Sequence, residues 1–162
     1  MGTETPIIID IEASGFAAKG YPIEVGVALE DGTTFCSLIT PAPDWTNWDV
    51  EAEKVHRVAR DILEVYGRSV HEVAVTLNQI LRGKTAYSDG WEVDKPWLTE
   101  LFWKAGIPQQ FWFSTIDMIM TPAQMRKWHD TKDEIIREMD GNRHRASLDA
   151  ILIQKTYMMS RE

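Results

Sequence analysis

Asp10 and Glu12 lie one residue apart in Ile7-Ile8-Ile9-Asp10-Ile11-Glu12-Ala13-Ser14-Gly15-Phe16, inside an otherwise apolar run. Side chains alternate faces along a strand, so the two carboxylates share one face while Ile9 and Ile11 enter the core on the other. Two like charges side by side need a cation. A hard oxygen set with no Cys or His beside it suits Mg²⁺ or Mn²⁺. The same pattern also fits an ordinary edge strand whose polar face is acidic.

Near the other end, His144 stands five residues ahead of Asp149 in His144-Arg145-Ala146-Ser147-Leu148-Asp149-Ala150. On a continuous helix that spacing leaves the two side chains about 140° apart, so they cannot ligate one ion from the same face. They can border one site with different tasks, Asp149 as metal ligand and His144 as proton acceptor, a role that suits an imidazole near its ordinary pKa. The plain alternative is a surface histidine followed by an acid that favours a helix N-terminus. Asp94, two residues before Pro96, is a third candidate acid. It lies where a helix is expected to begin, and Asp is a preferred N-cap there. Asp89 competes with it for the same part in the site.

The elements that must position these groups follow from periodicity. Tyr21 to Leu29 alternates with Ile23, Val25, Val27 and Leu29 on one face, Asp31-Gly32 is a hairpin turn, and Thr33 to Thr40 returns beside it. Three antiparallel strands therefore lead the chain. Val50 to Leu81 is helical in spacing with a break at Gly67. Thr85 to Ser88 forms a short strand, a helix ends at Gly106, and Phe111 to Ile116 forms a further strand parallel to the first. Thr121-Pro122 opens a helix running to about Glu138, Asp140-Gly141-Asn142 breaks it, and a last helix covers about Arg145 to Met158. The result is a single α/β domain over residues 1–162, with a mixed five-stranded central sheet flanked by helices. Trp45 and Trp48, in the loop Pro41 to Asp49, either stack on bases or pack against the domain.

The chain of 162 residues can bury a core without disulfides, and its one cysteine, Cys36, excludes an internal bridge. The start of the chain reads as neither a signal peptide nor a membrane span, so a soluble, cytoplasmic protein with no membrane partner is expected. The net charge of -8 disfavours long duplex contacts. The acidity is uneven: residues 1–119 hold nine Lys+Arg against eighteen Asp+Glu, and residues 120–162 hold eight against seven. A phosphate-facing surface would draw on Arg126, Lys127, Arg137, Arg143 and Arg145. Short single strands or chain ends fit this balance, and a homodimer could supply further basic surface.

The element order resembles the ribonuclease H-like fold. Asp-x-Glu on the first strand, an Asp at a strand-to-helix junction and His-x-x-x-x-Asp at the last helix together resemble the DEDD superfamily of 3'-5' exonucleases. The histidine-bearing DEDDh branch, DnaQ-like, includes ribonuclease T, oligoribonuclease and proofreading exonucleases. The resemblance implies that Asp10, Glu12, Asp94 and Asp149 bind two Mg²⁺ or Mn²⁺ ions and that His144 is the general base. It also implies that the backbone of Ala13, Ser14 and Gly15 meets the terminal nucleotide, with Phe16 against its base. The activity implied is hydrolysis of single-stranded DNA or RNA from 3' ends to nucleoside 5'-monophosphates. Two other readings use the same fold: a non-catalytic module binding nucleic acid or protein, and a metal phosphohydrolase of dinucleotides or other small phosphate esters.

Overall fold

The computed structural model describes residues 4–16, 19–139 and 145–162. Strands β1 (Ile7–Ala13), β2 (Pro22–Ala28), β3 (Thr34–Leu38), β4 (Thr85–Ser88) and β5 (Trp112–Thr115) form one sheet in the order β3-β2-β1-β4-β5. The first three are antiparallel, while β4 runs parallel to β1 and β5 parallel to β4. This is the mixed ribonuclease H-like sheet that the element order predicts. β1 lies at its centre, which removes the edge-strand reading of Asp10 and Glu12.

Helices cover both faces. On one, α3 (Val70–Leu81) and α4 (Trp91–Ala105) pack with Ile7, Ile9 and Ile11 of β1 and with Ile23, Val25 and Val27 of β2. On the other, Ile8 and Ala28 join Trp128 of α5 (Pro122–Glu138) and Ala150, Ile153 and Tyr157 of α6 (Ala146–Ser160). Asp10 and Glu12 therefore continue the face that α6 covers. The period of two in β1 decides this, because Ile8, Asp10 and Glu12 share one side.

Local chemistry sets most boundaries. The β2–β3 hairpin turns at Gly32, whose φ of 86° favours glycine, and Asp31 accepts from the Thr33 N–H and hydroxyl at 2.9 and 2.6 Å. Thr121 caps α5 with a reciprocal bond to Gln124, the capping box that its sequence allows.

The helical stretch over 50–81 differs from expectation, dividing into α1 (Val50–His56), α2 (Arg60–Tyr66) and α3. Besides the break at Gly67, α1 ends at Arg57, which takes the left-handed conformation at φ 59° and donates its N–H to Glu53 O. Trp45 is packed, stacking on Tyr21 at 5.4 Å between centroids and donating to Glu100 at 3.2 Å. Trp48 donates to Glu53 and meets His56 edge-on, and His56 is buried with Nδ1 accepting from the Val58 N–H. Both indole N–H groups are thus bonded within the domain. Among the described residues, no helix is long and apolar enough to cross a membrane.

Candidate metal centre

The site lies at the carboxyl ends of β1 and β4, where α4 and α6 begin. Asp10 and Glu12 come from β1 and Asp149 from the first turn of α6, and carboxylate oxygens of the three lie within 4.8 Å of one another. Asp149 is buried, and the other two are partly buried.

Asp94 approaches from α4. The helix starts at Trp91, with Gly90 as N-cap, so Asp94 lies inside the first turn and does not cap it. Pro96 sits inside the helix rather than at its first position, so the helix begins before the point that Asp94 and Pro96 suggest in sequence. The Asp94 side chain is 5% exposed, and its Oδ2 accepts from Ser88 Oγ at 2.7 Å. The same Oγ accepts from the Gly90 N–H at 2.9 Å, which joins the end of β4 to the start of α4. Asp89, the competing acid, is paired with Lys132 at 2.7 Å. The structure thus turns Asp94 inward and ties Asp89 to α5.

The electrostatics describe a cluster short of positive charge. Asp10 titrates well above the ordinary carboxylate range, chiefly because it is buried and then because of the charges of Asp94, Glu12, Asp149 and Asp89. Glu12 is pushed up to about 9 by burial and then by the Asp149 charge. Burial raises Asp94 to about 7 against the opposing Ser88 hydrogen bond, with help from the charges of Asp89 and Asp149. Asp10 Oδ2 is buried with no hydrogen-bond partner among the described residues. A buried carboxylate oxygen left unpaired is costly, and a divalent cation held by oxygen ligands would satisfy it. The donor set therefore fits such an ion.

The nucleotide-binding candidates divide. Ser14 is fully buried: its Oγ accepts from the Tyr21 N–H at 3.0 Å, its N–H donates to Tyr21 O, and its carbonyl accepts from the Asp49 N–H. Both its N–H and its hydroxyl serve the loop. Ala13 ends β1 at an irregularity in the ladder and is partly exposed, and Gly15 is buried. Phe16 is 71% exposed. A cavity of about 510 Å³ opens there, lined by Phe16, Lys19, Trp45, Val93, Pro96 and Trp97 among others.

The Arg145 guanidinium pairs with Glu24 at 2.6 Å, and its side chain is 46% exposed. Arg126, Lys127 and Arg137 are exposed on α5, and Lys127 donates to Glu162 O at 2.8 Å. Arg143 and His144, with the predicted break at Asp140-Gly141-Asn142, lie outside the described residues. Glu24 escaped the sequence reading. Its signal was a lone carboxylate within the apolar run Tyr21 to Leu29.

No protein-family model and no curated protein matches the chain. Solved structures of exonuclease I share its fold at low identity. E. coli exonuclease I in complex with a dA16 oligonucleotide superposes with a TM-score of 0.75 at 11% identity, over 99% of this chain and 42% of that one. The zinc-bound E. coli exonuclease I complex with single-stranded DNA gives 0.73 at 12%, over 99% and 41%. A moderately thermophilic exonuclease I from Methylocaldum szegediense gives 0.73 at 12%, over 96% and 40%. The chain thus spans 40 to 42% of the length of these three structures.

Proposed function

We propose that this chain, which has the ribonuclease H-like fold of the DEDDh exonucleases, is a divalent-metal-dependent 3'-5' exonuclease acting as one domain on single-stranded nucleic-acid ends. The observation that carries the reading is the gathering of Asp10, Glu12 and Asp149, with Asp94 turned toward them, around a buried oxygen that lacks a partner. A charge-deficient cluster of this kind costs stability unless a ligand repays it. E. coli exonuclease I, with the same fold, has been seen with zinc and single-stranded DNA, which supports both the ion and the substrate class.

Asp10, Glu12 and Asp149 would hold one Mg²⁺ or Mn²⁺, and Asp10 with Asp94 would hold a second. When bound, the ions supply charge that stabilises the phosphoryl oxygens and the departing 3'-oxygen. The chain's own residues do the rest. Phe16 packs against the terminal base, and the backbone of Ala13 and Gly15 borders its nucleotide. His144 takes a proton from the attacking water as the new bond to phosphorus forms and the bond to the 3'-oxygen breaks, and the departing 3'-oxygen takes a proton from solvent. The products are a nucleoside 5'-monophosphate and a strand shortened by one nucleotide with a free 3'-hydroxyl.

Chromatography of products tests the reading. Single-stranded DNA and RNA oligomers with free and blocked 3' ends are incubated with Mn²⁺. Nucleoside 5'-monophosphates from the free ends alone are expected. Cleavage that ignores the block, or release of 3'-phosphates, contradicts the reading.

A further inference from the structure

Glu24 takes no part in that chemistry, yet it is buried on β2 beside the carboxylates that do. It is the Cα partner of Glu12 across the β1–β2 ladder, and opposed residues of an antiparallel pair project to one face. Its carboxylate is fully engaged. Arg145 Nε donates to its two oxygens at 3.0 and 3.1 Å, Arg145 Nη2 donates to Oε2 at 2.6 Å, and the Ala146 N–H donates to Oε1 at 2.7 Å. The Glu24 side chain is 3% exposed against 46% for Arg145, so the fork reaches inward from the surface to a buried acceptor.

These bonds act on the start of α6. Arg145 is its N-cap, and no side-chain cap bond comes from Arg145 itself. Glu24 supplies from the neighbouring strand the acceptor that a local cap would give, an anion at the positive end of the helix. Two residues along β2, Gly26 is the Cα partner of Asp10. A Cβ on Gly26 would lie 2.2 Å from the Ala146 carbonyl carbon and 2.3 Å from the Ser147 nitrogen, so the helix start rests directly on the strand. Asp149 donates its N–H to Arg145 O at 2.9 Å, within the same first turn.

We propose that Glu24 is a positioning residue of the metal centre: through the Arg145 fork and the Ala146 N–H it fixes the first turn of α6, so that Asp149 meets Asp10 and Glu12 at metal-binding distance. The role rests on the functional reading above. An ion pair serving stability alone has no reason to join the residue opposite one ligand to the residue one turn before another. Here it does, and Gly26 admits the helix backbone that the pair then holds in register.

The test is calorimetric titration with Mn²⁺ of the full chain and three variants, with melting temperature measured beside it. Glu24→Gln keeps the shape and loses the charge that holds the fork. It is expected to raise the Mn²⁺ dissociation constant roughly 10- to 100-fold, the range for removing a group that orients a ligand. Arg145→Lys keeps the charge without the two-pronged fit and should give a smaller rise; it decides the matter alone if Glu24→Gln does not fold. Val73→Ala, a core truncation in the layer on the opposite face, should lower the melting temperature and leave the dissociation constant unchanged. Wild-type affinity in folded Glu24→Gln or Arg145→Lys, or an equal rise in Val73→Ala, overturns the positioning role and leaves the metal centre standing. Absence of Mn²⁺ binding by the wild-type chain overturns the metal centre, and the positioning role with it.

Discussion

Glu12 and Glu24 are Cα partners across the β1–β2 ladder, and the protein treats the two carboxylates in opposite ways. Glu24 is met by the Arg145 guanidinium at 2.6 Å, whereas Glu12 is set among acids and pushed up to about 9 by burial and then by the Asp149 charge. Like charges directly opposed weaken a ladder. Pairing one with arginine leaves the other among acids, where a divalent cation would relieve the charge.

That arrangement makes stability depend on pH in a defined direction. Glu12, Asp10 and Asp94 all titrate higher in the folded chain than their ordinary values. The folded state therefore holds protons that the unfolded chain has lost, and stability falls as pH rises between the two values. For Glu12 the fall runs from 4.5 to about 9, and for Asp94 from 3.8 to about 7. In chelator, the melting temperature should decline steadily from pH 5 toward pH 9, and Mn²⁺ should abolish most of the decline. A flat profile in chelator would contradict the charge-deficient cluster.

Removing one acid should separate stability from activity. Asp10→Ala deletes a carboxylate whose charge is disfavoured by burial and by its acidic neighbours, so the chelated variant should melt no lower than wild type, and higher above pH 7, while cleavage is lost. Thermal melts beside an activity assay check both. A variant retaining half of wild-type turnover would contradict the ligand role of Asp10.

The two candidate middle acids give opposite expectations. Asp94→Asn should lower turnover by roughly 10- to 100-fold, as for loss of a group supporting a metal site. Asp89→Asn loses a pair with Lys132 near the surface, worth about 0–1 kcal/mol, and should leave turnover close to wild type. Parallel rate measurements decide between them, and the reverse order would reassign the site.

His144→Ala should slow hydrolysis by roughly 10²- to 10⁴-fold, the usual contribution of a general base, and flatten the pH–rate profile. Single-turnover rates from pH 6 to 9 read both effects. An unchanged profile would remove His144 from proton transfer.

Gly26 offers a structural check. Ala at this position would drive a methyl into the backbone of Ala146 and Ser147, and overpacking of that kind costs roughly 1–3 kcal/mol. Denaturant unfolding of Gly26→Ala should show the loss. Wild-type stability would mean that α6 does not rest on β2 as described.

Much of this was legible in the chain because it depends on local pattern. The alternation Ile7 to Glu12 put both acids on one face, Asp31-Gly32 marked the hairpin, and Thr121-Pro122 marked a capped helix. Other features depend on contacts distant in sequence. Arg57 ends α1 in a left-handed conformation without glycine, which no local rule favours. Asp94 reads locally as a cap, and only its bond with Ser88 from the preceding strand shows it turned inward. Glu24 appears as a misplaced charge in an apolar strand until Arg145, distant in the chain, arrives to pair with it.

The most direct test of the central claim is degradation of a 5'-end-labelled single-stranded oligomer, as DNA and as RNA, with Mn²⁺, with Mg²⁺ and with chelator, beside the Asp10→Ala protein. The account predicts a ladder that shortens from the 3' end, requires the divalent ion and is absent in Asp10→Ala. Intact oligomers under every condition, or a ladder that persists in chelator or in Asp10→Ala, would contradict it.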